Sequence, residues 1–314
     1  MGDLSTSVSV VIPSTGRQEL AQAISSVRAQ DYSGDMEIIV VFDLDEALTP
    51  PEVVRLADAA DRVIFTGGGR KGGAARNLGV QDASGTWVAF LDDDDAWMPH
   101  KLTSQLRIAA LELSHGNSPV VGCRVEQVFK GDSKTHVVGG IPSRLIAEDE
   151  PIAEYLFLKR RPGAKRSSFF TSTVVAERWL CESVKWDESL DRHQDWDWLI
   201  RVGLVPSVSF RQAERDLVSI NVGSPGSISA GANWEGSLRW ARRVLEPIGT
   251  RVFVDFLLAQ TLRYALQKRD FSGVRLVLRS VITARRFPGI GPTIIGASGL
   301  MPRVTLENLM RCIK

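Results

Sequence analysis

Four consecutive aspartates, Asp92, Asp93, Asp94 and Asp95, are the group of side chains in this sequence with the clearest chemical potential. They follow directly on the apolar run WVAFL and precede Ala-Trp-Met-Pro, so the turn that holds them is tethered at both ends. Such a run is typical either of a bland, solvated acidic turn or of a cation site. Oxygen ligands with few histidines nearby suit Mg²⁺ or Mn²⁺, which takes one or two carboxylates together with substrate phosphates. The run therefore predicts a divalent-metal site for a phosphorylated ligand.

Strands alternating with helices must position this acidic run. The apolar runs that predict short buried strands are 8–12, 38–42, 62–65 and 87–91. The intervening predicted helices are 20–27, 52–60 and 74–83. This alternation predicts a parallel sheet covered on both faces, and ligands of such sheets bind beyond the carboxyl ends of the strands. Those ends carry Ser14 and Thr15, Asp43, the glycine-rich loop 67–73 and the four aspartates.

The pattern becomes less regular after a helix predicted from Lys101 to Ser114. Strand-like runs occur at 120–125, 168–175 and 208–210. They indicate the same domain, continuing with a more mixed sheet. From about Trp234 the pattern is helical, with one predicted apolar stripe and the arginines away from it. The stripe is Val274, Val277, Leu278, Val281 and Ile282, and the arginines are Arg275, Arg279 and Arg286. The predicted division is a domain over 1–233, made of halves 1–105 and 106–233, and a helical extension over 234–314.

Composition and charge exclude several classes of protein. With 314 residues, 44% hydrophobic, the chain is neither a disordered protein nor a small disulfide scaffold. Its three cysteines, Cys123, Cys181 and Cys312, are widely separated, fit a reducing cytoplasm and are expected to be small hydrophobic side chains. We find no secretory signal pattern, and the longest uncharged stretch, 287–302, is too short and too rich in Gly and Pro to span a bilayer.

The formal net charge of +1 conceals an asymmetry. Residues 235–314 hold 14 Lys+Arg and 5 Asp+Glu, a net charge of +9, so the first 234 residues carry −8. An acidic body is unsuited to a nucleic-acid backbone, whereas a basic helical segment suits an anionic membrane surface. The alternatives are that the arginines only solvate helices packed on the body, or that the helices form a homodimer contact.

Three segments in order, VSVVIPSTGR, EIIVVFD and RKGGAARNLGVQDASGTWVAFLDDDDAWMPHKL, resemble the family 2 glycosyltransferases, closely over roughly Val8 to Gln105. A second match is HQDWDWLIRV at 193–202. The resemblance implies the GT-A fold, an α/β, Rossmann-like, mixed but mainly parallel sheet flanked by helices. It also implies inverting transfer of a sugar from a nucleoside-diphosphate sugar to an acceptor hydroxyl, in cell-surface polysaccharide or glycoconjugate synthesis. UDP is the expected nucleotide, with dTDP or GDP as alternatives.

The donor-binding residues that the resemblance implies lie in two turns and one loop. After the first two strands they are Pro13, Ser14, Thr15, Arg17 and Asp43. Thr15 stands where the family usually has an aromatic residue, which leaves a base-stacking contact unassigned. In the loop beside the nucleotide the matching residues are Lys71 and Arg76. Arg76 is expected either to bind a phosphate or to orient the aspartates by ion pairing.

Within the aspartate run, matching backward from Pro99 places Asp93 at the ribose-contacting position and Asp94 at the metal-binding position. Asp92 is expected to support the loop. The implied Mn²⁺ or Mg²⁺ bridges the two phosphates and stabilises the charge on the leaving nucleoside diphosphate.

Asp195 matches the family's general base, and Gln194 stands where Glu is more usual. His193 is expected to be a hydrogen-bonding neighbour, Asp197 to cap a helix, and Trp198 to fill the core. The family often has a histidine near a Gly-Ser-Ile-Ser stretch, and residues 226–229 carry that stretch without the histidine.

Two other functions stay open at this point. One is a sugar-phosphate nucleotidyltransferase, which the short turn PSTGR argues against because that class places a glycine-rich basic signature there. The other is a non-catalytic binding protein with the GT-A fold. The expected partners are a nucleotide-sugar donor, a saccharide, lipid-linked saccharide or other hydroxyl acceptor, and no nucleic acid. The expected location is cytoplasmic, with the basic helices as a peripheral contact on the inner membrane face.

Overall fold

The computed structural model describes residues 6–130, 135–158, 167–223 and 231–300. Within these ranges the chain builds one nine-stranded sheet in the order β3-β2-β1-β4-β8-β6-β9-β5, with β7 beside β6. The strands are β1 (Val8–Ser14), β2 (Met36–Phe42), β3 (Arg62–Phe65), β4 (Trp87–Phe90), β5 (Ala96–Trp97), β6 (Ser118–Lys130), β7 (Thr135–Ile141), β8 (Val175–Glu177) and β9 (Val208–Val222).

The helices of the described ranges flank this sheet or follow it in the chain. They are α1 (Leu20–Arg28), α2 (Pro51–Val54), α3 (Lys71–Asp82), α4 (Lys101–Ser114), α5 (Ile152–Phe157), α6 (Arg178–Ser183), α7 (Gln194–Val202), α8 (Trp234–Val244), α9 (Thr250–Phe256), α10 (Arg263–Gln267), α11 (Phe271–Thr283) and α12 (Ile290–Ala297). All four strands predicted in the first ninety residues are present, and α4 has the predicted bounds.

The sheet has a parallel part and a mixed part. Strand β1 pairs in parallel with β2 and β4, and β2 pairs in parallel with β3. Strand β8 is antiparallel to both β4 and β6, whereas β9 runs parallel to β6 and antiparallel to β5. The predicted α/β class with a mixed sheet is therefore confirmed. The carboxyl ends of β1, β2 and β4 meet at one edge, which carries the acidic residues.

Strands β1, β2 and β4 are mostly buried and apolar, as expected for parallel strands covered on both faces, whereas the edge strand β3 is partly exposed. Helix α1 covers one face with its predicted stripe of Leu20, Ala23, Ile24 and Val27. Helix α3 lies close against the other face because it carries Gly79. A Cβ at Gly79 would stand 2.4 Å from Val11 Cγ1 and 3.2 Å from Val41 Cγ2.

One predicted strand is wrong. The segment 168–175 is not a strand along its length: it forms a 3₁₀ helix over Thr171–Thr173, and only Val175–Glu177 pairs with the sheet as β8. The turn directs the Ser172 hydroxyl toward the aspartates, a contact between distant segments that local residue pattern does not encode. Strands β5 and β7 were not predicted from the sequence. Strand β5 is only two residues long, too short to leave a recognisable pattern.

Contacts divide the described residues into two units. The first contains 6–130, 135–152 and 167–223, and the second contains 153–158 and 231–300. The division differs from the predicted 1–233 and 234–314 in assigning α5 to the second unit. The reason is aromatic packing, since the Phe157 ring lies 6.2 Å from that of Trp240 and 5.1 Å from that of Phe256.

The second unit packs helices α8 to α12 around a π-helical segment, Leu257–Leu262. The predicted stripe of α11 is correct only in part. Val277 and Val281 are buried, but Leu278 and Ile282 are exposed, because α11 turns them away from the unit. Cys123 and Cys181 are buried, and Cys312 lies outside the described residues. No helix in the described ranges combines the length and the apolar character that crossing a bilayer requires.

Candidate active site

The turn at residues 92–95, called the acidic turn below, is fixed to the loop after β1. The Ser14 hydroxyl donates to Asp93 Oδ2 at 2.7 Å, and the Thr15 N–H donates to the same oxygen at 3.3 Å. The Arg17 guanidinium donates to Asp94 Oδ2 at 2.7 Å and lies 3.6 Å from Asp93 Oδ1. Two elements that the sequence predicted to meet at one edge therefore do meet there.

The Asp95 carboxylate and backbone groups of the acidic turn contact residues far along the chain. Asp92 N–H donates to the Ser172 hydroxyl at 3.1 Å, and this hydroxyl donates to Asp95 Oδ2 at 2.5 Å. From β9, Asn221 N–H donates to Asp95 Oδ1 at 3.2 Å, and the Asn221 amide donates to the Asp94 carbonyl. No local residue pattern points to Ser172 or Asn221, because their contacts depend on strand order.

Burial perturbs the inner carboxylates of the turn. It raises the pKa of Asp93, against the hydrogen bond from Ser14 and the charge of Arg17. It raises the pKa of Asp95 well above its usual value, and the neighbouring Asp92 carboxylate adds to that rise. Both rises follow mainly from desolvation, which disfavours the charged form of a buried carboxyl group.

Arg76 orients the acidic turn from the opposite side. Its guanidinium donates to Asp92 Oδ1 at 2.6 Å and lies 4.8 Å above the Trp186 ring. Asn77 holds the Trp186 backbone: its side-chain amide donates to the Trp186 carbonyl, and its side-chain oxygen accepts from the Trp186 backbone N–H. The ion pair that was expected to orient the aspartates is therefore present, and phosphate binding by Arg76 stays a prediction. The Arg76 Nε is buried with no hydrogen-bond partner among the described residues.

Asp43 anchors the glycine-rich loop that follows β3. Its carboxylate accepts from Thr66 Oγ1 at 2.5 Å, from Arg70 N at 2.8 Å and from Lys71 N at 2.7 Å. Lys71, in the left-handed region with φ of 69°, extends its ammonium group to Asp191. Asp43 and Lys71, both predicted to bind donor, are therefore joined to each other in this structure.

Asp195 lies in the first turn of α7, one hundred residues beyond the acidic turn. Burial raises the pKa of its carboxyl group, while the charge of Arg76 lowers it and the charge of Asp92 raises it. The fold therefore brings Asp195 into the electrostatic neighbourhood of the acidic turn. A carboxylate at this position is a candidate general base.

The residues around Asp195 fill structural roles. The His193 ring stacks on Trp196 with centroids 4.8 Å apart, and burial lowers the His193 pKa to about 3. The prediction that Asp197 caps the helix is wrong, because it lies inside the first turn and pairs with Arg201 at 2.7 Å. Trp198 is fully buried, as predicted, and stacks on Trp186 with centroids 5.1 Å apart.

The acidic turn offers one available carboxylate to the expected Mn²⁺ or Mg²⁺. Among the residues that the structure describes, no three His, Cys, Asp or Glu side chains are grouped to hold a metal by themselves. Asp94 is the carboxylate of the turn whose protein partner is a single, partly exposed Arg17. One carboxylate with two ligand phosphates is an ordinary Mg²⁺ site, so the turn fits a metal that arrives with a diphosphate. The stretch 226–229 lies outside the described residues.

Comparison with known proteins finds similarity to one family over the first part of the chain. Residues 9–144 match the model of glycosyl transferase family 2. The chain is 30% identical over 200 residues to the amylovoran biosynthesis glycosyltransferase AmsB of Erwinia amylovora, covering 62% of this chain and 63% of AmsB. It is 29% identical over 118 residues to the Escherichia coli UDP-Glc:alpha-D-GlcNAc-diphosphoundecaprenol beta-1,3-glucosyltransferase WfgD, covering 36% of this chain and 46% of WfgD. The chain thus spans between 46% and 63% of the length of these two relatives.

The fold matches solved structures as well. The crystal structure of S. aureus TarS 1-349 in complex with UDP-GlcNAc superposes with a TM-score of 0.61 at 17% sequence identity, covering 88% of this chain and 81% of that one. At this identity the match concerns the fold, which is that of a GT-A domain.

Proposed function

We propose that the chain, whose residues 9–144 match the model of glycosyl transferase family 2, transfers a sugar from a nucleoside-diphosphate sugar to an acceptor hydroxyl in cell-surface glycan synthesis. The observation that supports the proposal is that the start of α7, which carries Asp195, lies beside Arg76: a Cβ at Gly72 would stand 2.9 Å from Arg76 Nη1 and 3.6 Å from Oε1 of Gln194, the residue before Asp195. A binding module needs the acidic turn alone, whereas transfer also needs a base on the acceptor side.

On the donor side, Asp94 is the proposed carboxylate ligand of Mn²⁺ or Mg²⁺. The ion, when bound, stabilises the negative charge that develops on the departing diphosphate. Arg17 then exchanges Asp94 for a phosphate oxygen, because a guanidinium binds either anion well. Asp93, held by Ser14, is the proposed ribose contact. UDP is the proposed nucleotide, an assignment supported by the UDP donor in the name of WfgD and the UDP-GlcNAc bound by TarS.

On the acceptor side, Asp195 takes the proton of the attacking hydroxyl. The hydroxyl oxygen forms a bond to the anomeric carbon as the bond from that carbon to the phosphate oxygen breaks, and the electron pair leaves with the diphosphate. Attack from the face opposite the leaving group inverts the anomeric configuration and needs no covalent intermediate. The names of the relatives, one of which acts on a diphosphoundecaprenol-linked sugar, support a lipid-linked saccharide as acceptor.

The first experiment removes the proposed base. Asp195→Asn keeps the shape of the side chain and is expected to lower transfer by about 10³-fold, in the range of general-base losses. UDP affinity, measured by calorimetry, is expected to stay unchanged. Asp58→Asn makes the same chemical change at an exposed site in the same unit and serves as the matched control. Transfer by the Asp195→Asn protein at the wild-type rate would remove Asp195 from this role.

A second experiment separates donor binding from transfer. Thermal melts with UDP are compared with Mn²⁺ and with a chelator, since a ligand of the native state raises the melting temperature. Asp94→Ala is expected to abolish the metal-dependent part of the shift. A shift of full size in this variant would show that the metal has another carboxylate ligand. Donor binding without any turnover would favour the non-catalytic alternative.

A further inference from the structure

Helix α11 in the second unit exposes an apolar stripe. Phe271, Leu278 and Ile282 recur with Arg275 at i, i+4, i+7 and i+11, which places them on one side of a helix. Phe271 is 78% exposed and Ile282 is 75% exposed. Large apolar side chains on one helix face are normally buried, so this stripe requires an explanation.

The stripe is not the face by which α11 packs within its own unit. Gly273, Val277, Ser280 and Val281 are its buried positions, and they lie on the opposite side. At Gly273 a Cβ would stand 2.5 Å from the Trp234 ring, which shows how tightly that opposite side is packed. Folding of the unit therefore uses one apolar face of α11 and leaves a second one in solvent.

The residues after α11 also expose large apolar side chains. Phe287, between α11 and α12, is 97% exposed, and Ile290 and Ile294 are exposed at i and i+4 on α12. We call the exposed side chains of residues 271–300 the 271–300 surface. This segment contains four arginines and no aspartate or glutamate. The arginines are Arg275, Arg279, Arg285 and Arg286, all exposed. The surface is thus both apolar and uniformly cationic.

A small pocket lies beside the stripe, with Arg279 in its lining. It has a volume of about 270 Å³ and is lined by Arg242, Glu246, Phe253, Leu276, Arg279, Ser280, Thr283 and Ala284. Arg242 Nη2 donates to the Ser280 hydroxyl at 3.0 Å, so one guanidinium is oriented across the pocket. Two guanidinium groups and two hydroxyls outweigh the single carboxylate of Glu246 as a lining for a phosphate-bearing head group.

We propose that the 271–300 surface docks the protein on an anionic lipid bilayer. Exposed Phe and Ile side chains enter the boundary between head groups and acyl chains, and the arginines contact lipid phosphates. Charge complementarity selects this occupant over a second copy of the chain. A two-fold contact through the same surface would bring four arginines against four more, with no acidic residue of the 271–300 segment to neutralise them. The docking goes beyond the proposed transfer, because it involves neither the acidic turn nor Asp195.

Vesicle flotation with the full chain tests the proposal, with no donor present. Binding is expected to vesicles of phosphatidylcholine with roughly one third phosphatidylglycerol, and to fall at high salt, since anionic lipid attracts arginine electrostatically. Ile282→Ser with Phe287→Ser is expected to reduce the partition coefficient by about tenfold, because two apolar insertions are lost. Arg275→Gln with Arg279→Gln is expected to reduce it by about tenfold on the same vesicles.

The controls make matched changes outside the surface. Leu48→Ser with Leu204→Ser alters side chains that are 80% and 70% exposed in the first unit. Arg55→Gln with Arg107→Gln removes the same charge from exposed sites there. Equal flotation of the surface variants and their controls would overturn the proposal, and so would the absence of flotation by the wild-type chain. A dimer seen by light scattering and abolished by Ile282→Ser with Phe287→Ser would overturn it in favour of self-association. UDP affinity is expected to be unchanged in all of these variants, so failure of docking leaves the proposed transfer intact.

Discussion

The acidic turn of the first unit and the 271–300 surface of the second differ in how their side chains are partnered within the folded protein. In the acidic turn, Asp93 and Asp95 are buried, and each of the four carboxylates has a protein partner, from Ser14, Arg17, Arg76 or Ser172. In the 271–300 surface, large apolar side chains are exposed to solvent. Buried polar groups are costly without partners, whereas exposed apolar groups cost a folded chain little. The difference indicates that the first region is organised by folding, and that the second is available for an external partner.

The largest expected effect on stability comes from breaking the charge pairing of the acidic turn. Arg76→Met keeps an unbranched side chain over Trp186 and leaves Asp92 without its guanidinium. The free energy of unfolding is expected to fall by about 2 kcal/mol, less than for a fully buried pair, because Arg76 is buried but the Asp92 side chain that loses its partner is 38% exposed. Urea denaturation of the purified protein measures the change.

Arg178→Met supplies the control for this variant. Arg178 pairs with Glu182 at 3.0 Å on α6, and both side chains are well exposed. Its loss is expected to cost under about 0.5 kcal/mol, as for other surface ion pairs. Equal losses in the two variants would mean that the acidic turn is no more organised by pairing than the surface is.

Lys101 sharpens the comparison because it is a buried charge without such partners. Its Nζ has no hydrogen-bond partner among the described residues and lies 3.8 Å from the centroid of the Trp97 ring, and burial lowers its pKa to about 7. Lys101→Met is expected to stabilise the protein by about 2 kcal/mol at pH 7, since a buried charge is replaced by an apolar side chain of similar length.

The pH dependence of this variant follows from linkage. The folded protein releases the Lys101 proton near pH 7, while the unfolded chain retains it to about 10.5. Unfolding therefore takes up a proton between these values, and the wild-type protein gains stability as pH rises through that window. The advantage of Lys101→Met is expected to be largest near pH 7 and to shrink toward pH 10 in urea titrations. An advantage that is the same at both pH values would mean that the ammonium group is not desolvated.

The smallest expected effect belongs to the 271–300 surface. Ile282→Ser with Phe287→Ser is expected to change the free energy of unfolding by less than about 0.5 kcal/mol per site, because neither side chain packs within the unit. The same urea denaturation measures it. A loss of more than about 2 kcal/mol would place these side chains in the folded core and would remove the contrast between the two regions.

Much of the fold followed from local sequence. Strands β1, β2 and β4 are mostly apolar because both of their faces are buried, and the sequence alone shows that pattern. The edge that gathers Ser14, Asp43 and the acidic turn followed as well, since the carboxyl ends of parallel strands lie together. In α11 the same reasoning placed Leu278 and Ile282 on the packed face with Val277 and Val281. The prediction was wrong for Leu278 and Ile282 because the apolar stripe of α11 is wide enough to form two faces. The sequence does not show which of these faces packs against neighbouring helices.

The sequence by itself determined the parallel strands, the acidic turn at their carboxyl edge and the candidate base in the segment that begins α7. Only the tertiary structure decided that Ser172 and Asn221 hold Asp95, that Arg76 pairs with Asp92, and that Asp195 lies within their field. Hydrophobic periodicity is a property of neighbouring residues, and it reports burial. Hydrogen-bond partners depend on strand order and on 3₁₀ turns that bring segments 80 to 126 residues apart into contact, which no local pattern encodes.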